Sequence, residues 1–183
     1  MDLDYIIKIS KILLNEKFEN FQSCLMLLTE KPEEYEAKGL SDKYDFSPDD
    51  IDEEYVAEEF FEEFCQTENL TLIIDWSGED DEGQLDYFIS SRMNEMGVGN
   101  VDLSIVKEWD ASVSLSDYAK GEYIVEKFKV LSSYIDSKYL KLVFINNGGD
   151  CYMPFIVSVS DFIDLKKIAI EDEDYYIHDI ESM

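Results

Sequence analysis

Arginine, histidine, proline and cysteine are scarce in this 183-residue chain, and each scarcity excludes something. Arg92 is the only arginine, and 15 Lys plus Arg stand against 43 Asp plus Glu, a formal net charge of -28 with a pI near 4.1. A phosphate backbone or an anionic lipid surface is bound by neutralising its charge with Lys and Arg. Nucleic acid and membrane are therefore set aside as partners. General acid–base catalysis at neutral pH most often uses histidine, and the single one, His178, lies in an acidic tail. Three cysteines, Cys24, Cys65 and Cys151, are odd in number and sit far apart in apolar surroundings. They read as buried free thiols of a reducing compartment rather than as a disulfide framework or an activated nucleophile.

No glycine-rich phosphate cradle occurs, and Gly148-Gly149 is followed by the repelling acid Asp150. Clustered Cys and His at zinc-ligand spacing are absent. No catalytic residue, cofactor or metal is assigned, and the chain is expected not to be an enzyme. No apolar run approaches the roughly 20 residues that span a bilayer, and Met1-Asp2-Leu3-Asp4 lacks the basic start of a secretory signal. A cytoplasmic protein is expected.

What is present is the material for a core. Hydrophobic residues make up 45% and aromatics 14%, with 12 Tyr and 11 Phe, unlike a disordered acidic polymer. Apolar residues at helical spacing predict two helices from Asp2 to about Leu28, followed by a polar stretch broken by Pro32 and Gly39. Ser47-Pro48 reads as an N-cap with proline at the first helical position, which predicts a helix from Pro48 to about Cys65. Leu70 to Trp76 reads as a buried strand, Gln84 to Met96 as a helix stopped by Gly97, and Val101 to Val106 as a strand. A helix capped by Ser116-Asp117 runs to Asp136, a hairpin joins Tyr139–Ile145 to Cys151–Ser158, Ser160-Asp161 caps a short helix, and Tyr175-Tyr176-Ile177 forms an edge strand. The expected fold is α+β, a small mostly antiparallel sheet packed with several helices. With no linker and no internal repeat, a single globular domain is expected, with a helical part over 1–66 and an α+β part over 67–183.

The negative charge is local. Eighteen acids lie between Asp42 and Asp86 against the single base Lys43. Evenly spread solubilising charge has no such bias, so the segment reads as a binding surface. On a helix starting at Pro48, Val56, Phe60 and Phe64 share one face, and Glu54, Glu58 and Glu62 share the opposite one, with Glu59 beside them. Like charges at i, i+4 cost a few tenths of a kcal/mol each, which a basic partner would return. Ile51 and Tyr55 fall on the acidic side, either as surface anchors or as core covered by a second element. The loop Glu79, Asp80, Asp81, Glu82 extends the same patch. With Asp75 it is also the place where a hard cation would bind, although its spacing does not fit an EF-hand loop.

The run Ile74-Asp75-Trp76, the later strand Leu142–Ile145, and Gly149-Asp150-Cys151-Tyr152 leading into Phe155-Ile156-Val157 resemble a bacterial family of domains of unknown function. In that family a strand ending D-W is followed by a helix, a strand and a D-x-Y turn. The resemblance covers about Leu70 to Ile168 and implies fold and bacterial origin, with no catalytic residues to carry over. More loosely, an acidic, Tyr-rich protein without an active site looks like the immunity proteins that neutralise polymorphic toxins and contact-dependent inhibition toxins, many of them basic nucleases. That analogy implies an inhibitor that covers the toxin's active site. The alternatives are a non-inhibitory adaptor for a basic segment and a cation-binding module or enzyme.

Overall fold

The computed structural model describes residues 3–52, 55–78, 81, 83–119, 121–146, 150–168 and 176–180, and gives only the backbone of Asp50, Leu115, Asn146, Tyr176 and His178. The fold is α+β, and the chain forms two compact units. One runs from the start of the chain to Leu70 and resumes at Lys167; the other runs from Thr71 to Lys166 and includes the last strand.

The first unit is helical. Helix α1 (Leu3–Leu13) buries Ile6 and Ile9, and a 3-10 turn at Asn15–Lys17 leads into α2 (Phe18–Glu30). The polar stretch that follows is not irregular. Pro32 opens a short helix α3 (Pro32–Ala37), and Gly39 turns the chain into α4 (Leu40–Tyr44). The helix expected from Pro48 is divided. Ser47 does cap, its hydroxyl accepting from the Asp49 N–H at 3.2 Å, but the result is a 3-10 turn at Pro48–Asp50, and α5 begins only at Val56 (Val56–Thr67). Extended backbone at Ile51 separates the two.

Helix α5 packs on α1, α2 and α4 through an aromatic core. Phe60 stacks on Phe21 with ring centroids 5.8 Å apart and meets Tyr44 edge-on at 5.5 Å, while Phe64 stacks on Tyr44 at 5.2 Å. Phe21, Tyr44, Phe60, Phe61 and Phe64 are all solvent-inaccessible. Each such ring contributes about 2–3 kcal/mol relative to exposure, plus a directional ring–ring term. This cluster accounts for the Phe-rich sequence of α5.

The second unit is a four-stranded antiparallel sheet in the order β1-β3-β2-β4 with helices packed on it. The strands are β1 (Ile74–Asp75), β2 (Leu140–Asn146), β3 (Cys151–Ser158) and β4 (Tyr176–Asp179). β2 and β3 pair antiparallel as the expected hairpin, with Val143 opposite Phe155. β4 lies at the edge, pairing Ile177 with Ile145. The apolar run Leu70–Trp76 is mostly not strand: only Ile74 and Asp75 pair, with Tyr152 and Cys151.

Pro154 explains that truncation. Asp150 and Pro154 share strand parity, and the Asp150 carbonyl accepts from the Trp76 N–H, so both backbones face the β1 side. Proline has no N–H to offer a longer β1. The Thr71 hydroxyl instead donates to the Pro154 carbonyl at 2.8 Å.

Helix α6 (Gln84–Glu95) ends where expected, at Gly97 with φ +84°. Val101–Val106 is not a strand; Ser104 begins helix α7 (Ser104–Ser112), with the Asp102 carboxylate accepting from the Ser104 N–H. Helix α8 (Glu122–Asp136) starts later than the Ser116-Asp117 signal suggests, because those residues form a 3-10 turn of their own. Helix α9 (Val159–Leu165) is capped by Ser158 and not, as expected, by Ser160, which lies inside the helix; the Ser158 hydroxyl accepts from the Asp161 N–H. The α8 stripe of Ile124, Phe128, Leu131 and Ile135 is fully buried against Leu142 and Phe144.

Candidate functional site

The acidic residues singled out from the sequence fall in both units, and each group is described in its own unit. In α5 the buried stripe is Phe60, Phe61, Phe64 and Cys65. At 3.6 residues per turn, Glu59 and Glu62 project away from that stripe, with Glu59 exposed. Glu58 does not belong to the outer face, because it sits beside the buried Cys65 on the helical wheel; Glu58 and Glu62 are both half-buried. Ile51 and Tyr55 are not on the helix face either. Ile51 is half-buried in the extended segment, and Tyr55 occupies the N-cap position, 43% exposed, its carbonyl accepting from the Glu58 and Glu59 N–H groups. Glu54 lies outside the described residues.

Below this helix an ionic network ties the first unit together. The Glu68 carboxylate meets Lys43 at 2.7 Å and Lys17 at 3.0 Å, and the Tyr44 hydroxyl donates to it at 3.2 Å. Burial pushes the Glu68 carboxyl up, but hydrogen bonds from Lys43 and Lys17 outweigh it and hold the group below the usual glutamate range. Glu63 on α5 has no such partners among its named influences: burial, then repulsion from Asp45, raises it.

In the second unit Asp81 is exposed, and Glu79, Asp80 and Glu82 lie outside the described residues. The Asp75 carboxylate is turned back into its own turn, where it accepts from the Ser77 N–H at 2.7 Å. No group of three or more His, Cys, Asp or Glu with metal-binding geometry occurs among the described residues.

Two features of this unit escaped sequence reading. The first is Lys127, 2% exposed, whose ammonium lies 3.4 Å from Asp86 of α6 and 3.4 Å from Asp110 of α7. The Tyr123 hydroxyl donates to Asp110 at 2.6 Å. A buried lysine between two carboxylates pins three helices, a role legible only once the helices are placed.

The second is an aromatic cleft of about 570 Å³ walled by Trp76, Tyr118 and Tyr152, with Val125, Glu122 and Lys129 around it. The three walls come from distant sequence. Trp76 follows β1, Tyr152 pairs with Ile74 across the sheet, and Tyr118 precedes α8. Each ring is fixed from behind. Tyr152 packs edge-on against Phe128 at 5.3 Å, and Tyr118 lies 5.8 Å from Tyr123 and 6.5 Å from Trp109. The D-W and D-x-Y motifs were the available signal: the structure pairs them, Asp75 opposite Cys151 and the Trp76 N–H on the Asp150 carbonyl.

Residues 7–173 match the family described as Domain of unknown function (DUF6630). The chain belongs to that family. No curated protein and no solved structure gives a significant match. The match takes in α5, the paired D-W and D-x-Y motifs and the cleft, so all of these lie inside the DUF6630 domain. Among its described residues no helix is long and apolar enough to cross a membrane.

Proposed function

We propose that this DUF6630 chain is a binding protein for a basic protein partner, and that it acts as an immunity protein that neutralises a toxin domain, a nuclease in the simplest case, by covering its active site. The observation that carries this is the placement of charge. Eighteen acids between Asp42 and Asp86 face one base, and on α5 Glu59 and Glu62 project from a helix already anchored by four buried residues, with Tyr55 exposed at its start. A helix whose inner face is committed to the core offers its outer carboxylates at a fixed spacing, and an exposed ring beside them is the residue type that dominates binding energy.

Opposite charge would speed encounter, up to roughly 10⁸ M⁻¹s⁻¹ at low salt, while Tyr55 would act on the off-rate. The test is co-expression with the product of the adjacent gene. A co-purifying complex whose association slows markedly with salt supports the proposal; no complex, or association indifferent to ionic strength, overturns it.

A further inference from the structure

The walls of the Trp76–Tyr118–Tyr152 cleft differ from the core packed behind them. Phe128, Phe144, Leu85 and Ile89 are buried to 3% exposure or less, whereas Trp76, Tyr118 and Tyr152 remain half-buried around open space. Three large rings left partly in water, each locked by a second contact, form a preorganised surface rather than a collapsed core. Trp76 is the tightest case. Gly121 has no side chain, and a Cβ there would stand 2.8 Å from the ring's Cε3 and 3.3 Å from Cζ3. The chain gives up a side chain so that the indole can lie against the start of α8.

Aromatic faces carry negative potential and attract cations, most strongly tryptophan. Among the described residues, the charged groups lining the cleft are Glu122, Glu126 and Lys129. Lys129 is held by Glu126 at 2.5 Å. That leaves Glu122, whose Oε2 accepts from the Ala119 N–H at 2.9 Å and is thereby oriented at the cleft's rim. Sited in the first turn of α8, this carboxylate also offsets the positive end of the helix. The cleft is thus a ring-lined space whose described rim residues carry two carboxylates against one ammonium, in the size range of small-ligand sites.

We infer that this cleft is a receptor for a single guanidinium group, the arginine side chain of a protein partner, stacked on Trp76 and faced by Glu122. Arginine is favoured over lysine because its planar, weakly hydrated head stacks on rings and pairs with a carboxylate at once. The source of that arginine rests on the basic-partner proposal. The site itself is tested without any partner, so its failure and the failure of that proposal are distinguishable.

The experiment uses the full chain labelled with ¹⁵N and follows the indole N–H signals of Trp76 and Trp109 during titration with N-acetyl-arginine amide, with its neutral urea counterpart N-acetyl-citrulline amide, and with tetramethylammonium, all at matched ionic strength. The expected result is a saturable shift of the Trp76 signal with the arginine derivative and at most a weak one with citrulline. Tyr118→Ala should weaken binding about threefold to tenfold through loss of a wall. Glu122→Gln keeps the hydrogen bond to Ala119 and removes only the charge, and should weaken arginine binding while leaving the fold intact. Equal responses to arginine and citrulline, no saturable response, or no effect of Glu122→Gln would overturn the assignment. A response to tetramethylammonium alone would overturn it in favour of a small quaternary ammonium ligand.

Discussion

Gly121 and Trp76 are packed so closely that the smallest side chain does not fit between them, and Gly121 is also in the left-handed region at φ +89°. Both facts act against the same substitution. Gly121→Ala should destabilise the protein by about 1–3 kcal/mol, from backbone strain and ring displacement together. Chemical denaturation reads the stability, and a shifted Trp76 indole signal reads the displaced ring. An unchanged indole signal would mean that the ring is not held where it stands.

Lys127 should be the most sensitive charged position of the second unit. Lys127→Met retains the aliphatic packing but leaves Asp86 and Asp110 without their shared cation. Removing one partner of a buried ionic group costs about 3 kcal/mol or more. Urea denaturation measures it, and adding Asp86→Asn to the same chain should recover part of the loss.

Glu63 and Glu68 lie five positions apart and should respond to pH in opposite senses. Burial and Asp45 raise the Glu63 carboxyl above its ordinary 4.5, so its charged form weakens the fold above that raised value. Glu63→Gln should therefore stabilise the protein at neutral pH and become neutral below about pH 4. Glu68 is held below 4.5, because its lysine partners outweigh its burial. Its contribution is present above 4.5 and is lost as pH falls through the lowered value, so Glu68→Gln should destabilise at pH 7, with the gap to wild type closing on acidification. Lys43 gives the alkaline counterpart. Burial lowers it, but the hydrogen bonds it donates to Glu68 and Tyr44 outweigh that and raise it, so its contribution holds below 10.5 and fades as pH rises through the raised value. Thermal unfolding across pH separates the three.

On α5, Glu59→Lys with Glu62→Lys should slow association with a basic partner and flatten its salt dependence, with little change in dissociation. Tyr55→Ala should instead raise the off-rate about tenfold, the effect of losing an anchor worth roughly 1.4 kcal/mol. Surface plasmon resonance distinguishes the two. Glu58→Lys is expected to perturb the fold as well, because Glu58 sits beside the buried Cys65 on the helix.

The parts of this fold that a linear reading captures are those whose signal is local. Cys151–Ser158 is a strand bounded by turn residues, and both its ends fall where expected, although the cap that follows is Ser158 rather than Ser160. Gly97 stops α6 for the same reason. The failures come from competition between local signals. Ser47-Pro48 caps a turn as well as it caps a helix, and the extended backbone of Ile51 ends that turn before α5 begins at Val56. Val101–Val106 has the β-branched look of a strand, but Asp102 accepts from the Ser104 N–H and starts α7.

The candidate sites divide in the same way. Charge density along the chain pointed to α5, but among the described residues Glu58 turns toward the buried side while Glu59 and Glu62 point away from it, because the buried face turns on Phe61 and Cys65 as well as Phe60 and Phe64. The cleft was beyond sequence reading, since Trp76, Tyr118 and Tyr152 meet only through the antiparallel pairing of two motifs and the approach of the α8 start.

Pro154 leaves one further mark. Past the two residues of β1, the β3 edge presents a position with no N–H, and the carbonyl beside it is taken by the Thr71 hydroxyl. A foreign peptide looking for a ladder to extend finds neither donor nor acceptor there. Strand addition through that position, whether by a partner or by a second copy heading toward aggregation, is interrupted at Pro154, and recognition there has to be made by side chains.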